Sequence, residues 1–174
     1  MMKKNTVIFF FLALIATATF AQTKEDRNGN LIGYLEKSDF LQGKFKAPFE
    51  KNYDDYQPNQ KVVKRIKKQL KGISVKTFFG TWCHDSEREL PRFFKIMESA
   101  EFDLKNNFKI IGLTRGKKTP DNLQKGYHIK HTPTFIFYKD GEEIGRYVEQ
   151  PRETMEKDIL RILKGKRYKH TYQK

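Results

Sequence analysis

The stretch from Ile73 to Ser86 constrains the fold more than any other part of the chain. Residues 73–79 are almost continuously apolar, which predicts a strand buried on both faces of a sheet. A glycine follows at position 80, and after Trp82 and Cys83 the sequence becomes helix-like. This order places a thiol at a helix N-terminus. There the helix dipole and the unpaired backbone N–H groups favour the thiolate, which is the nucleophilic form of cysteine.

Cys83 is the only cysteine among 174 residues. Three residues later, where a second cysteine would resolve a mixed disulfide, the chain has Ser86. A secreted domain stabilised by disulfides would have an even number of cysteines. With a single cysteine, this domain must be stabilised by packing, and its thiol is not needed for a cross-link. Such a thiol is either a buried structural residue or a reactive group.

Residues 1–21 have the pattern of a secretory signal peptide. Lys3 and Lys4 precede an apolar run that begins at Val7, and small residues lead up to a cleavage site after Ala21. The alternative is a retained anchor, but the apolar run is shorter than the roughly 20 residues that span a membrane. We therefore expect export to the periplasm or the extracellular space, and no integral membrane protein after cleavage.

The formal charge of +14 raises the question of partners. Two clusters supply much of the excess: Lys61, Lys64, Arg65, Lys67, Lys68 and Lys71, and at the tail Lys164, Lys166, Arg167, Lys169 and Lys174. Nucleic acid would be the default partner in a cytoplasm, but an exported protein seldom meets it. The alternatives are an acidic partner protein, an anionic envelope surface or a merely solvated face.

The remaining patterns predict one α/β domain over residues 59–164, between an arm at 22–58 and a basic tail at 165–174. Helices are expected at 60–71, 85–99, 120–127 and 151–163, and strands at 73–79, 108–113, 134–138 and 143–148. Asp140 and Gly141 lie between the last two strands and indicate a hairpin. Strands separated by helices and ending in an antiparallel hairpin predict a mixed sheet.

Three further features of the sequence occur in a fixed order. Trp82-Cys83 follows the first long strand, Pro91 lies eight residues after Cys83, and Thr132-Pro133 immediately precedes the hairpin and the terminal helix. With these features in this order, residues 60–163 resemble the thioredoxin family. The resemblance implies a thioredoxin-like fold: a central mixed sheet of about four strands flanked by helices on both faces. It also implies a cis peptide bond before Pro133. More narrowly, the chain is similar to exported thioredoxin-like proteins with a C-x-x-S site.

The resemblance makes Cys83 the nucleophile and Trp82 and His84 its catalytic neighbours. A cationic His84 would stabilise a thiolate, whereas Asp85 would disfavour one. Ser86 has two interpretations: its hydroxyl donates to the thiolate, or Ser86 opens a capping box at the helix start.

The resemblance also predicts that Thr132 and Pro133 present backbone to an extended substrate peptide. Thr77 stands where thioredoxins usually carry a buried acid. We expect no cofactor, and no metal, because Cys83, His84 and Asp85 are consecutive at a helix start and cannot all face one ion.

Two functions remain open. One is thiol–disulfide exchange through a single cysteine, as a monothiol reductase or isomerase acting on protein or small-molecule thiols and disulfides. The other is a non-catalytic module that binds extended peptides or partner proteins. A one-cysteine peroxidase is disfavoured, because such enzymes place a threonine where this chain has Gly80.

Overall fold

A computed structural model of the chain describes residues 24–173, so the predicted signal peptide lies outside the described residues. Within this range the α-helices are α1 Lys46–Asp55, α2 Gln60–Lys67, α3 His84–Ser99, α4 Leu104–Asn107 and α5 Met155–Leu163. The strands are β1 Gly33–Leu35, β2 Ile73–Phe79, β3 Phe108–Gly112, β4 Thr134–Lys139 and β5 Glu142–Val148. No helix in the described range is both long enough and apolar enough to cross a membrane.

The strands form one mixed sheet in the order β1-β3-β2-β4-β5. β2 lies at its centre, parallel to β3 and antiparallel to β4, with Thr77 opposite Ile110 and Phe135. The hairpin of β4 and β5 is antiparallel. The predicted α/β class with a mixed sheet is confirmed, and the turn that carries Cys83 directly follows the central strand β2.

The sheet has five strands rather than about four, because part of the predicted arm joins it. β1 pairs antiparallel with β3, with Gly33 opposite Gly112. A Cβ on Gly112 would lie 2.4 Å from the carbonyl oxygen of Leu31, so only glycine lets the arm approach this closely. The arm also contains α1 and 3₁₀-helices at Lys37–Leu41 and Gly43–Phe45.

The sheet separates two apolar clusters. On one face, the apolar sides of α1, α2, α3 and α5 pack into a single core. On the other face, a smaller cluster around Phe78, Ile111 and Ile136 is covered by residues 119–131. The resemblance predicts helices on both faces, but within residues 24–173 this second face is covered by turns.

The helix predicted at 120–127 does not form. Asn122 and Gly126 adopt positive φ, which an α-helix excludes. The Thr119 Oγ1 accepts a hydrogen bond from the N–H of Leu123 at 2.8 Å, and the Gln124 Oε1 accepts one from the N–H of Thr119 at 3.0 Å. The Thr119 hydroxyl therefore binds the Leu123 N–H, which in a helix would bond to the Thr119 carbonyl instead.

Two predicted helix boundaries are also wrong. α2 ends at Lys67 rather than at residue 71, because its last turn tightens, with the Gln69 N–H bonded to the Ile66 carbonyl. Pro151 does not open the last helix: α5 begins at Met155, and the Thr154 side chain is its cap.

Candidate active site

Cys83 is the N-cap residue of α3, with extended backbone, and its thiol is partly exposed. The Cys83 Sγ donates a hydrogen bond to the Thr132 carbonyl oxygen at 3.1 Å. The peptide bond between Thr132 and Pro133 is cis. The thiol, the start of the helix and this proline loop therefore meet at one point, although Cys83 and Thr132 are far apart in the chain.

Ser86 does not open the helix. α3 begins at His84, so Ser86 lies inside the first turn and the predicted capping box is wrong. The Ser86 side chain is fully buried, and its Oγ accepts a hydrogen bond from the Gly80 N–H at 3.2 Å. No hydrogen bond joins Ser86 to the Cys83 thiol in the described part of the chain. Ser86 therefore fixes the turn between β2 and α3.

Trp82 lies over this turn. Its indole Nε1 donates to the Leu113 carbonyl oxygen at 2.8 Å, just beyond the end of β3. The ring lies so close to Gly80 that a Cβ there would be 2.4 Å from the Trp82 Cε2. Arg115 and Lys117 each place a cationic group 5.8 Å from the centre of the ring. Trp82 thus forms one wall of the site and is bordered by positive charge.

The two polar neighbours of Cys83 behave differently. His84 is exposed, and no hydrogen bond within residues 24–173 connects its imidazole to the thiol. Asp85 forms an ion pair with Arg88, with 2.7 Å between the Arg88 Nη2 and the Asp85 Oδ1. The charge of Asp85 is therefore partly neutralised, which weakens its opposition to a thiolate.

Thr77 occupies the β2 position where the resemblance would place a buried acid. It is fully buried, and its Oγ1 donates to the Thr134 carbonyl oxygen at 3.2 Å. That bond ties β2 to β4 beside the proline loop. Thr77 offers no carboxylate that could accept a proton from a thiol.

A buried carboxylate that the sequence analysis missed lies one turn further along α3. Glu89 is fully buried and accepts a hydrogen bond from the Tyr147 hydroxyl at 2.6 Å, and Arg88 and Arg92 also contact it. Burial, and next the charge of Glu89, raise the pKa of Tyr147. The sequence signal that Glu89 is buried was its position four residues before Phe93, on the apolar face of α3.

The predicted basic tail returns to the site. The Tyr172 ring stacks on the His131 ring with centroids 3.8 Å apart, and the Tyr172 hydroxyl donates to Glu149. The hydrogen bond to Glu149 first, then burial and the charges of Glu149 and Asp85, raise the pKa of Tyr172 to about 12. Tyr172 therefore lies against His131, next to the proline loop, which no local pattern indicates.

The described residues also bear on metal binding. Within residues 24–173, no group of three or more His, Cys, Asp or Glu side chains is placed to hold an ion. The cation-rich side of Trp82 would repel a metal rather than bind one.

Comparison with known proteins gives consistent results. A family model described as thioredoxin matches residues 35–162. The chain is 30% identical over 92 residues to thioredoxin-like protein R548 of Acanthamoeba polyphaga mimivirus, a match that covers 53% of this chain and 64% of the relative. It is 26% identical over 91 residues to thioredoxin H9 of Arabidopsis thaliana, covering 52% and 60% of the two chains. The chain thus spans less than two thirds of the length of these curated relatives.

A solved structure extends the likeness over more of the chain. A protein of unknown function from Pseudomonas aeruginosa superposes with a TM-score of 0.58 and 12% sequence identity, covering 76% of this chain and 93% of that one. At this level of identity the likeness concerns the fold alone.

The close packing of Trp82 on Gly80 gives a direct test of the site's geometry. Gly80→Ala should push the indole away from the Leu113 carbonyl, because the added Cβ would lie 2.4 Å from the ring. We expect a changed Trp82 emission spectrum and a loss of about 1–3 kcal/mol in the free energy of unfolding. Trp82 is the only tryptophan, so its fluorescence reports this site alone.

Gly116→Ala is the matched control, since the nearest atom to its Cβ would be 3.9 Å away. It should leave the emission unchanged. Identical spectra for wild type and Gly80→Ala would contradict the packing of Trp82 described above.

Proposed function

The chain belongs to the thioredoxin family, and from that premise we propose that it carries out thiol–disulfide exchange with Cys83 as its only sulfur nucleophile. Family membership by itself suggests thiol–disulfide redox chemistry. The observation that carries the monothiol proposal is the position of the partly exposed Cys83 Sγ at the N-terminus of α3.

The proposed reaction has two steps. The Cys83 thiol releases its proton to solvent, and the thiolate attacks one sulfur of a substrate disulfide. A bond forms between Cys83 and that sulfur, the substrate S–S bond breaks, and the other sulfur leaves as a thiolate that takes up a proton. The thiolate of an external thiol then attacks the substrate sulfur of the mixed disulfide. A disulfide forms between the external thiol and the substrate, the bond to Cys83 breaks, and Cys83 leaves as a reduced thiolate.

The local contacts assign roles to the neighbouring residues in this proposal. The first-turn N–H groups of α3 stabilise the thiolate, whereas the bond to the Thr132 carbonyl is available only to the protonated thiol. Thr132 and Pro133 position the substrate backbone beside Cys83, and Trp82 forms the opposite wall. Ser86 holds the turn, and a protonated His84 adds positive charge near the sulfur.

A single cysteine sets limits on this chemistry. Ser86 cannot attack the mixed disulfide, and Thr77 cannot accept the proton of a resolving thiol. The protein would therefore depend on an outside thiol for release and would not serve as a dithiol oxidant, which needs an internal disulfide. Protein or small-molecule thiols and disulfides are its proposed partners.

The second candidate function is a binding module. The observation that favours it is the hydrogen bond between the Cys83 thiol and the Thr132 carbonyl, which is made only by the neutral, unreactive form. In this case Trp82, Thr132 and Pro133 would hold an extended peptide, and Cys83 would be one polar contact among several.

Reaction with oxidised glutathione separates the two functions. The wild type should gain one glutathione on Cys83, and Cys83→Ser should gain none while keeping its fold, because the thiol makes no cross-link. Ser86→Cys places a second sulfur one helical turn from Cys83, within bridging distance, and should close an internal disulfide. Intact-mass measurement distinguishes these products.

Lys139→Cys is the matched control, because Lys139 is exposed at the end of β4 away from Thr134 and cannot reach Cys83. It should take up a second glutathione and form no internal bridge. If the folded wild type takes up no glutathione, the exchange function is wrong and the binding module stands. If Ser86→Cys takes up two and never closes, the proposed site geometry is wrong.

We further propose that the protein is exported, from the pattern of residues 1–21. The excess of positive charge then suits an acidic partner or an anionic envelope surface rather than nucleic acid. The N-terminal residue of the protein recovered from its host provides the test. Gln22 is the expected first residue, and a chain that still begins at Met1 would contradict cleavage.

A further inference from the structure

A rigid turn after β3 presents two cations to the site. Residues 114–118 are closed by hydrogen bonds from the Thr114 N–H to the Lys118 carbonyl at 3.0 Å and from the Lys117 N–H to the Thr114 carbonyl at 2.8 Å. The Thr114 hydroxyl adds a bond to the Lys118 carbonyl at 3.0 Å. The turn begins directly after Leu113, whose carbonyl accepts the indole N–H of Trp82. The turn and the Trp82 wall are therefore fixed relative to each other.

The two cations of this turn are not neutralised. The Arg115 guanidinium and the Lys117 ammonium each lie 5.8 Å from the centre of the Trp82 ring. Trp82 is the residue that precedes Cys83 in the chain. Neither cation forms an ion pair with any carboxylate among residues 24–173. At this distance the attraction to the ring is weak, so both charges remain available to a ligand.

The acidic side chains around Cys83, by contrast, are mostly occupied. Asp85 is paired with Arg88 at 2.7 Å, and Glu149 contacts His131 at 3.3 Å. Glu87 is exposed and makes no ion pair in the described range, but it lines the cavity beneath the arm rather than the Trp82 wall. On the Trp82 side of the site, the positive charges of Arg115 and Lys117 are therefore not neutralised by a carboxylate of residues 24–173.

We infer that Arg115 and Lys117 select substrates that carry negative charge beside the reacting sulfur. This inference rests on the proposed exchange function and names its substrate class: disulfides flanked by carboxylates, such as those in acidic peptide segments. The two cations attract such a substrate before the thiolate attacks, and they stabilise the mixed disulfide afterwards. Positively charged substrates are repelled by Arg115 and Lys117.

Three small disulfides of similar length test this selectivity: dithiodipropionate is a dianion, hydroxyethyl disulfide is neutral and cystamine is a dication. The rate at which each converts Cys83 to the mixed disulfide is followed by mass spectrometry. Each rate is divided by the rate of the same disulfide with mercaptoethanol, which removes differences in intrinsic reactivity. We expect the dianion to exceed the dication by about tenfold at low salt, with the ratio falling as salt is added.

Two double variants with the same change in net charge locate the effect. Arg115→Gln with Lys117→Gln should reduce the ratio of dianion to dication several-fold, and because both rates come from the same variant, a general change in Cys83 reactivity cancels from this ratio. Lys71→Gln with Lys139→Gln is the control, because these exposed lysines flank the opposite end of the pairing between β2 and β4. It should keep the wild-type ratio.

The outcomes separate this inference from the proposed function. If Cys83 reacts with the neutral disulfide but shows no preference for the dianion, the inference fails and the exchange function stands. If both double variants reduce the ratio equally, the net charge of the molecule and not this turn is responsible, and the inference is wrong. If Cys83 reacts with none of the three, the exchange function itself fails.

Discussion

The buried hydrogen bond between the Gly80 N–H and the Ser86 hydroxyl oxygen determines the geometry of the whole site. It ties the end of the central strand to the first turn of α3, and a buried N–H left without a partner would cost about 1–3 kcal/mol. Because the turn is fixed, Trp82 can lie directly over Gly80, and Cys83 becomes the residue that begins the helix. Through this one contact, the position of the thiol follows from the packing of β2.

The same contact explains how a site with one cysteine keeps its shape. In a dithiol site, the position three residues after the nucleophile would hold the resolving sulfur. Here a buried Ser86 occupies it and bonds to backbone, and Thr77 makes a similar internal bond to the Thr134 carbonyl. Both positions contribute to structure and leave Cys83 as the only thiol. In the exchange reaction proposed above, such a site would form a mixed disulfide and would rely on an outside thiol to complete a cycle.

Local patterns were enough to predict the parts of the fold that depend on neighbouring residues. The β2 and α3 unit and the hairpin follow from apolar runs, a glycine turn and Asp140-Gly141. Long-range contacts were not predictable in this way. β1 is three residues long and joins the sheet only because Gly112 leaves room for the Leu31 backbone. The hydrogen bond from the Tyr147 hydroxyl to the buried Glu89 joins residues 58 positions apart, and the stacking of Tyr172 on His131 has no local signal.

In the proposed exchange function, the fold makes Cys83 a better nucleophile than the same thiol in an unfolded chain. The most direct test is the rate at which iodoacetamide alkylates Cys83 in the native protein and in the protein unfolded by urea, at the same neutral pH. Since the helix N-terminus favours the thiolate and the sulfur is partly exposed, the native protein should react faster, by about tenfold. A native rate equal to or below that of the unfolded chain would contradict the account, because the fold would then protect the thiol rather than activate it.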